Sequence, residues 1–194
     1  MSIIAITGGI GSGKSAVSRM LSVMGMLVYD CDSRAKSLMD RSDNIKRRIA
    51  AEISPDCISS DNTIDRGLLS RYVFNDAGAL DRLNKIVHGA VREDFNRWCV
   101  RHKDNPMLFV ETAILYQSGM DSMVDGVWEV VASEDTRVAR VMARNHCPAS
   151  EVKARISSQD SFIPRYKHPR TIYIDNDGSK ALLPQVLSAL ADCR

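Results

Sequence analysis

Ile3-Ile4-Ala5-Ile6 is a wholly apolar run, rich in β-branched residues and closed at once by Thr7-Gly8-Gly9, the pattern of a strand buried on both faces of a parallel sheet. Beyond the glycines, Val17, Met20, Leu21 and Met24 recur at helical spacing until Gly25 ends the pattern. Met26-Leu27-Val28-Tyr29-Asp30 predicts a second strand, and a crossover through one helix makes it parallel to the first. Residues 33–53 read as helical, whereas residues 54–65 are polar, contain Pro55 and read as a loop. From Arg66 to His102 the periodicity is helical, carried by Leu68, Leu69, Tyr72 and Val73, then by Leu83, Ile86, Val87, Ala90 and Val91. Strand patterns return at Met107-Leu108-Phe109-Val110-Glu111, at Val127-Trp128-Glu129-Val130-Val131-Ala132 and at Thr171-Ile172-Tyr173-Ile174-Asp175, before a closing helix that begins near Ser179. Five short strands alternating with helices predict a doubly wound α/β fold, with residues 1–53 and 106–194 as its core and residues 54–105 as a helical insertion.

Composition narrows the partners more than the fold. Of 194 residues, 26 are basic and 24 acidic, a formal charge of +2, so neither nucleic acid nor an anionic membrane is expected to attract the whole molecule. No apolar run reaches spanning length and the N-terminus lacks a signal-peptide pattern, so the expected address is cytoplasmic. Cys31, Cys57, Cys99, Cys147 and Cys193 are scattered and odd in number, which fits reduced thiols. The four histidines form no short metal-ligand pattern. The oligomeric state is left open.

Gly8-Gly9-Ile10-Gly11-Ser12-Gly13-Lys14-Ser15 matches G-x-x-x-x-G-K-[ST] and lies where that motif belongs, between a buried strand and an amphipathic helix. Its glycines let backbone N–H groups turn toward phosphate oxygens, and the helix N-terminus adds positive potential. Lys14 is expected to reach the β/γ oxygens and the Ser15 hydroxyl to hold Mg²⁺, so Gly11, Ser12, Gly13, Lys14, Ser15 and Ala16 form the expected nucleotide-binding set. The loop alone does not separate a kinase from a GTPase, an ATPase or a nucleotide sensor. The chain has no guanine-reading Asn-Lys-x-Asp segment, and its helical insertion and basic segment favour a small-molecule kinase.

Strand alternation would place Asp30 and Asp32 on one side of the chain at the carboxyl end of the second strand, where open α/β sheets bind ligands. Asp32 is the expected general base for an acceptor hydroxyl. Asp30 either helps hold metal-bound water or caps the helix that follows. Glu111, closing the third strand, either contacts Mg²⁺ through water or is a solvated strand end. Arg137, Arg140 and Arg144 share a helical face, and Lys153, Arg155, Arg165, Lys167 and Arg170 extend the basic stretch, a predicted lid over residues 140–168. Arg140 and Arg144 are expected on phosphates, Arg140 among the catalytic residues, while Arg137 is read as a solvated partner of Glu134.

These residues resemble the dephospho-coenzyme A kinase family over nearly the full length. The likeness rests on Thr7 to Ser15, on Asp30-Cys31-Asp32 in place of D-A-D and on the stretch from Asp61 to Phe74. It continues through Leu83 and His88, Arg140 and Arg144, Gln159 and Ile174-Asp175-Asn176-Asp177-Gly178. The resemblance implies a five-stranded parallel nucleotide-kinase core with a helical substrate-binding domain and a lid. It implies transfer of the γ-phosphate of ATP to the ribose 3′-hydroxyl of dephospho-coenzyme A, the last step of coenzyme A synthesis, with Asp32 as base, His88 near the small-molecule substrate and Asn176 near the adenine. Departures from the family pattern include Asp61-Asn62 for D-G, His88-Gly89 for H-P and Arg144-Asn145 for R-D. The competing readings are another small-molecule or nucleoside-monophosphate kinase of the same core and a non-catalytic ATP-binding regulator.

Overall fold

The computed structural model describes residues 1–160, 162, 164 and 166–193. In chain order the elements are β1 Ser2–Thr7, α1 Lys14–Val23, β2 Leu27–Asp30, α2 Cys31–Arg41, α3 Asp43–Glu52, α4 Arg66–Asn75, α5 Ala77–Arg101, β3 Met107–Glu111, β4 Gly126–Val131, α6 Glu134–Asn145, α7 Ala149–Asp160, β5 Thr171–Asp175 and α8 Leu182–Asp192. Contacts divide the chain into two units, Met1–Tyr29 with Lys103–Arg194, and Asp30–His102. The helical insertion expected at residues 54–105 therefore begins at Asp30 in this division, because α2 and α3 pack against α5.

The first unit is built on a five-stranded sheet in the order β2-β3-β1-β4-β5. β1 lies between β3 and β4 and runs parallel to both, with Ile4 opposite Phe109 on one side and Gly126 on the other; β5 is parallel to β4. The apolar runs become strands because both faces are covered. Ile4, Ile6, Phe109, Trp128, Val130 and Ile174 are buried with Val17 and Leu21 of α1 and Val186 and Ala189 of α8. Complete burial of side chains of this size contributes about 1.5–3 kcal/mol each. The Trp128 ring lies tilted on Phe109 with centroids 5.2 Å apart. A parallel sheet gathers its carboxyl ends on one edge, so Thr7, Glu111, Val131 and Asp175 all end where open sheets bind ligands.

The second unit is helical. α5 has 25 residues, about 38 Å of helix at 1.5 Å per residue, and α2, α3 and α4 each pack on it. Ile45, Ile49, Cys57, Leu69 and Ile86 form its core. The helical stretch expected over residues 33–53 is two helices, broken at Ser42, whose hydroxyl caps α3 by accepting from the Ile45 N–H at 3.3 Å. Buried Asp94 accepts from Arg34 Nη2 at 2.7 Å and Nε at 2.9 Å, so α2 is tied to α5 by a charge-assisted fork.

Candidate functional site

β1 opens directly into the phosphate loop, and α1 begins at Lys14 with Gly13 at its N-cap and no side chain capping its first amides. The Ala16 N–H turns back to the Gly13 carbonyl at 2.9 Å, and the helix start lends positive potential to the loop, which suits anionic oxygens. Gly11 has φ +80°, the left-handed region that an L-residue with a side chain enters only with strain. Lys14 Nζ donates to the Gly8 carbonyl at 2.8 Å and the Gly9 carbonyl at 3.2 Å, folding its ammonium over the loop. Ser15 lies exposed in the first turn of α1, with Ala16 next to it, while Ser12 is buried beneath the loop.

The loop's other neighbours come from β5 and α6. Asn176, held at the end of β5 by its N–H to the Val131 carbonyl at 2.8 Å, donates Nδ2 to the Ser12 carbonyl at 2.8 Å. Arg140 Nη1 lies 3.5 Å from the same carbonyl. Asp177 accepts from the Ser133 N–H at 3.0 Å and its hydroxyl at 2.7 Å, which fixes the start of α6 beside the turn that carries Asn176. Hydrogen bonds from Thr136 and Ser133 hold the Asp177 carboxyl below the usual carboxylate range. Neither Asp177 nor the contact of Asn176 with the loop could be read from spacing, because both depend on β5 lying beside β4.

Arg137 corrects the reading of a solvated helix face. Its side chain is only 13% exposed, and Nε donates to the Ile10 carbonyl at 3.0 Å. It borders the stripe of Val138 and Val141 that packs against α7. Arg144, on the last turn of α6, is exposed and donates Nε to Asn145 Oδ1 at 3.1 Å. Within the basic stretch, Lys167 Nζ is bound by both oxygens of Glu129 at 2.9 and 2.8 Å, and Arg155 pairs with Glu151 at 2.6 Å. Arg165 lies outside the described residues. Gln159 of α7, quoted in the family pattern without a role, accepts from the Ile10 N–H at 2.7 Å. Glu111 is half-buried at the end of β3, in register with Ile6.

In the helical unit, Asp30 and Asp32 do not alternate along one strand. β2 ends at Asp30 and α2 begins at Cys31. Asp30 Oδ1 accepts from the Asp32 and Ser33 N–H groups at 3.0 and 3.1 Å, and Oδ2 from the Ser33 hydroxyl at 2.5 Å. Asp30 is thus the N-cap that turns strand into helix, and its oxygens are engaged in that task. Asp32 is exposed on the first turn of α2. His88 lies half-buried on α5, and burial, helped by Arg92, pushes its imidazolium pKa below the ordinary 6.5.

A cavity of about 470 Å³ lined by Ser2, Gly126, Trp128, Arg170 and Thr171 lies at the amino edge of the sheet, opposite the phosphate loop. The carboxyl edge, with its helix N-terminus, lysine and arginine, is the edge built for a polyphosphate.

The sequence model of the dephospho-CoA kinase family matches residues 2–181. A dephospho-CoA kinase of Porphyromonas gingivalis is 36% identical over 194 residues, covering 100% of this chain and 95% of the relative. A solved protein of Thermus thermophilus superposes with a TM-score of 0.76 at 32% identity, covering 98% of this chain and 95% of that one. The solved dephospho-CoA kinase of Campylobacter jejuni, at 22% identity, shares the fold with a TM-score of 0.67, covering 98% of this chain and 96% of that one.

Proposed function

The chain belongs to the dephospho-CoA kinase family, and from that premise we propose how its residues divide the work of phosphoryl transfer. The activity is that of a transferase acting in the final step of coenzyme A synthesis, with ATP as co-substrate and a small-molecule acceptor. The observation that carries this reading is the family match over residues 2–181 on a chain whose phosphate loop sits between β1 and α1. That match favours dephospho-coenzyme A over another small-molecule acceptor, and turnover over a purely regulatory role.

In this proposal the amides from Gly11 to Ala16 wrap the ATP phosphates and Lys14 leaves its loop carbonyls for the β/γ oxygens. Arg140 stabilises charge that builds on the γ-phosphoryl group as it departs. Arg144 contributes a second cation near the nucleotide, and Asn176 lies by the adenine. Asp32 orients the ribose 3′-hydroxyl and accepts its proton as the oxygen attacks phosphorus and the bond to ADP breaks. His88 contributes to acceptor binding from α5. Mg²⁺ fits here as a hard cation held mainly by phosphate oxygens and water, with the exposed Ser15 hydroxyl as its protein ligand. It would neutralise charge on the β and γ oxygens. Glu111 would reach it through water, whereas Asp30 serves as helix cap rather than ligand. The proposed address is cytoplasmic.

The test is ADP release with Mg·ATP and dephospho-coenzyme A, compared with AMP and shikimate as acceptors. The expected product is dephospho-coenzyme A gaining one phosphate. Turnover of a different acceptor alone would leave the kinase class standing and remove the substrate.

A further inference from the structure

Ile10, at the crest of the phosphate loop, is held from three directions. Its N–H donates to Gln159 Oε1 of α7 at 2.7 Å, and its carbonyl accepts from Arg137 Nε of α6 at 3.0 Å. Its side chain packs into the apolar cluster of Val138, Val141, Val152 and Ile156 that joins the two helices. Gly9 lets this happen: a Cβ there would overlap the Arg137 guanidinium. We infer that Arg137 and Gln159 are positioning residues that clamp the backbone of Ile10 and so set the conformation in which the loop receives ATP. The inference rests on the ATP-dependent kinase reading given above.

The physical argument turns on what the loop must do. A run of glycines has many accessible backbone states, and each must be excluded before the amides can converge on phosphate. The Ile10 N–H belongs to the Gly9–Ile10 peptide and its carbonyl to the Ile10–Gly11 peptide, so the two hydrogen bonds fix the planes on both sides of the Ile10 Cα. Those planes join Ile10 to Gly9 and to Gly11, so their tilt determines where the following amides point. Preorganisation of this kind strengthens binding by removing an ordering cost, without adding any contact to the ligand. Among the described residues Arg137 Nη2 is buried without a hydrogen-bond partner, and it sits 4.0 Å from Asp160 Oδ1. The guanidinium is therefore held by its Nε bond and by packing rather than by a close ion pair, as a positioning role requires.

The experiment compares four variants of the whole chain for ATP affinity, for the KM of each substrate and for thermal midpoint. Arg137→Met and Gln159→Met each remove one half of the clamp while keeping the side chain out to the position of the bonding atom. Each should raise the Kd for ATP by about 5–10-fold, the value of one or so net hydrogen bonds, and leave the KM for dephospho-coenzyme A within about twofold. Arg137→Gln is the discriminating variant, because its amide nitrogen stands as many bonds from the backbone as Nε does. It should keep ATP affinity within about threefold of wild type, although it carries no charge. The Arg137→Met, Gln159→Met double variant should lose less than the product of the single losses, since both bonds hold the backbone of one residue. If Arg137→Gln is as damaging as Arg137→Met, the arginine acts through its charge and the clamp is refuted. Unchanged ATP affinity in both methionine variants, or equal losses for both substrates tracking a fallen thermal midpoint, also overturns it. Wild-type turnover of dephospho-coenzyme A, measured alongside, tests the family reading separately.

Discussion

Asn176 Nδ2 donates to the Ser12 carbonyl at 2.8 Å, joining the turn after β5 to the phosphate loop. Asn176→Ala should raise the Kd for ATP severalfold and cost about 1 kcal/mol of stability, the net value of one hydrogen bond. Titration with ATP and thermal melting measure the two effects. ATP affinity equal to wild type would leave Asn176 with a purely structural part.

Lys14→Ala should weaken ATP binding and turnover together. Asp32→Asn should spare ATP binding and lower kcat by about 10²–10⁴-fold, the range expected of a positioned base. Equilibrium ATP binding and steady-state rates on both variants give the contrast. Matching losses of ATP affinity would make Asp32 a nucleotide or metal ligand instead.

Arg140 Nη1 lies near the Ser12 carbonyl, whereas Arg144 is exposed and bound to Asn145. Arg140→Ala should therefore cost more than Arg144→Ala. The drop in kcat, about 10²-fold for a lost donor to the transferring group, should exceed the rise in KM for ATP. Arg140→Lys should recover only part, since an ammonium lacks the planar fork. A kinetic ranking with Arg144 ahead of Arg140 would contradict this placement.

His88 gives a pH signature. Its folded-state pKa lies below the ordinary 6.5 because burial, then Arg92, disfavours the imidazolium. As pH falls, the unfolded chain takes up this proton first. The stability contributed by neutral His88 is thus present above pH 6.5 and lost as pH falls through the depressed folded value. Urea unfolding at about pH 7.5 and about pH 5.5 should show a smaller loss for His88→Gln than for wild type. An equal loss in both proteins would assign the acid sensitivity elsewhere.

The five strands are legible because each is a short apolar run, buried most fully in β1, β3 and β4, and the phosphate loop because its chemistry imposes a fixed spacing. Helix ends and helix faces were less so. At Asp30, strand alternation was extended past a residue that in fact caps a helix; the capping preference of Asp competes with strand continuation, and the Ser33 hydroxyl and amide decide it. Ser42 broke one expected helix into two by the same device. Arg137 was misread because three arginines at helical spacing look equivalent until the partner of the helix is known. Arg137 stands four residues before Val141 and so borders the buried stripe, a signal that amphipathic analysis of α6 alone contains. The Asn176 and Gln159 contacts join residues far apart in the chain, and no local pattern encodes them.

The central place of β1 has a consequence for how the chain is made. β1 is the first strand to be synthesised, yet its sheet neighbours are β3, beginning at Met107, and β4, beginning at Gly126. On the ribosome, Ile3 to Ile6 must wait as an unpaired apolar segment while the whole of Asp30–His102 is translated. That intervening unit is complete at His102, before any residue of β3 has been made. The order of assembly is then helical unit first and sheet second. The vulnerable interval is the one in which the strand leading to the phosphate loop is out of the tunnel with no strand beside it, when an unpaired apolar edge is most prone to aggregate.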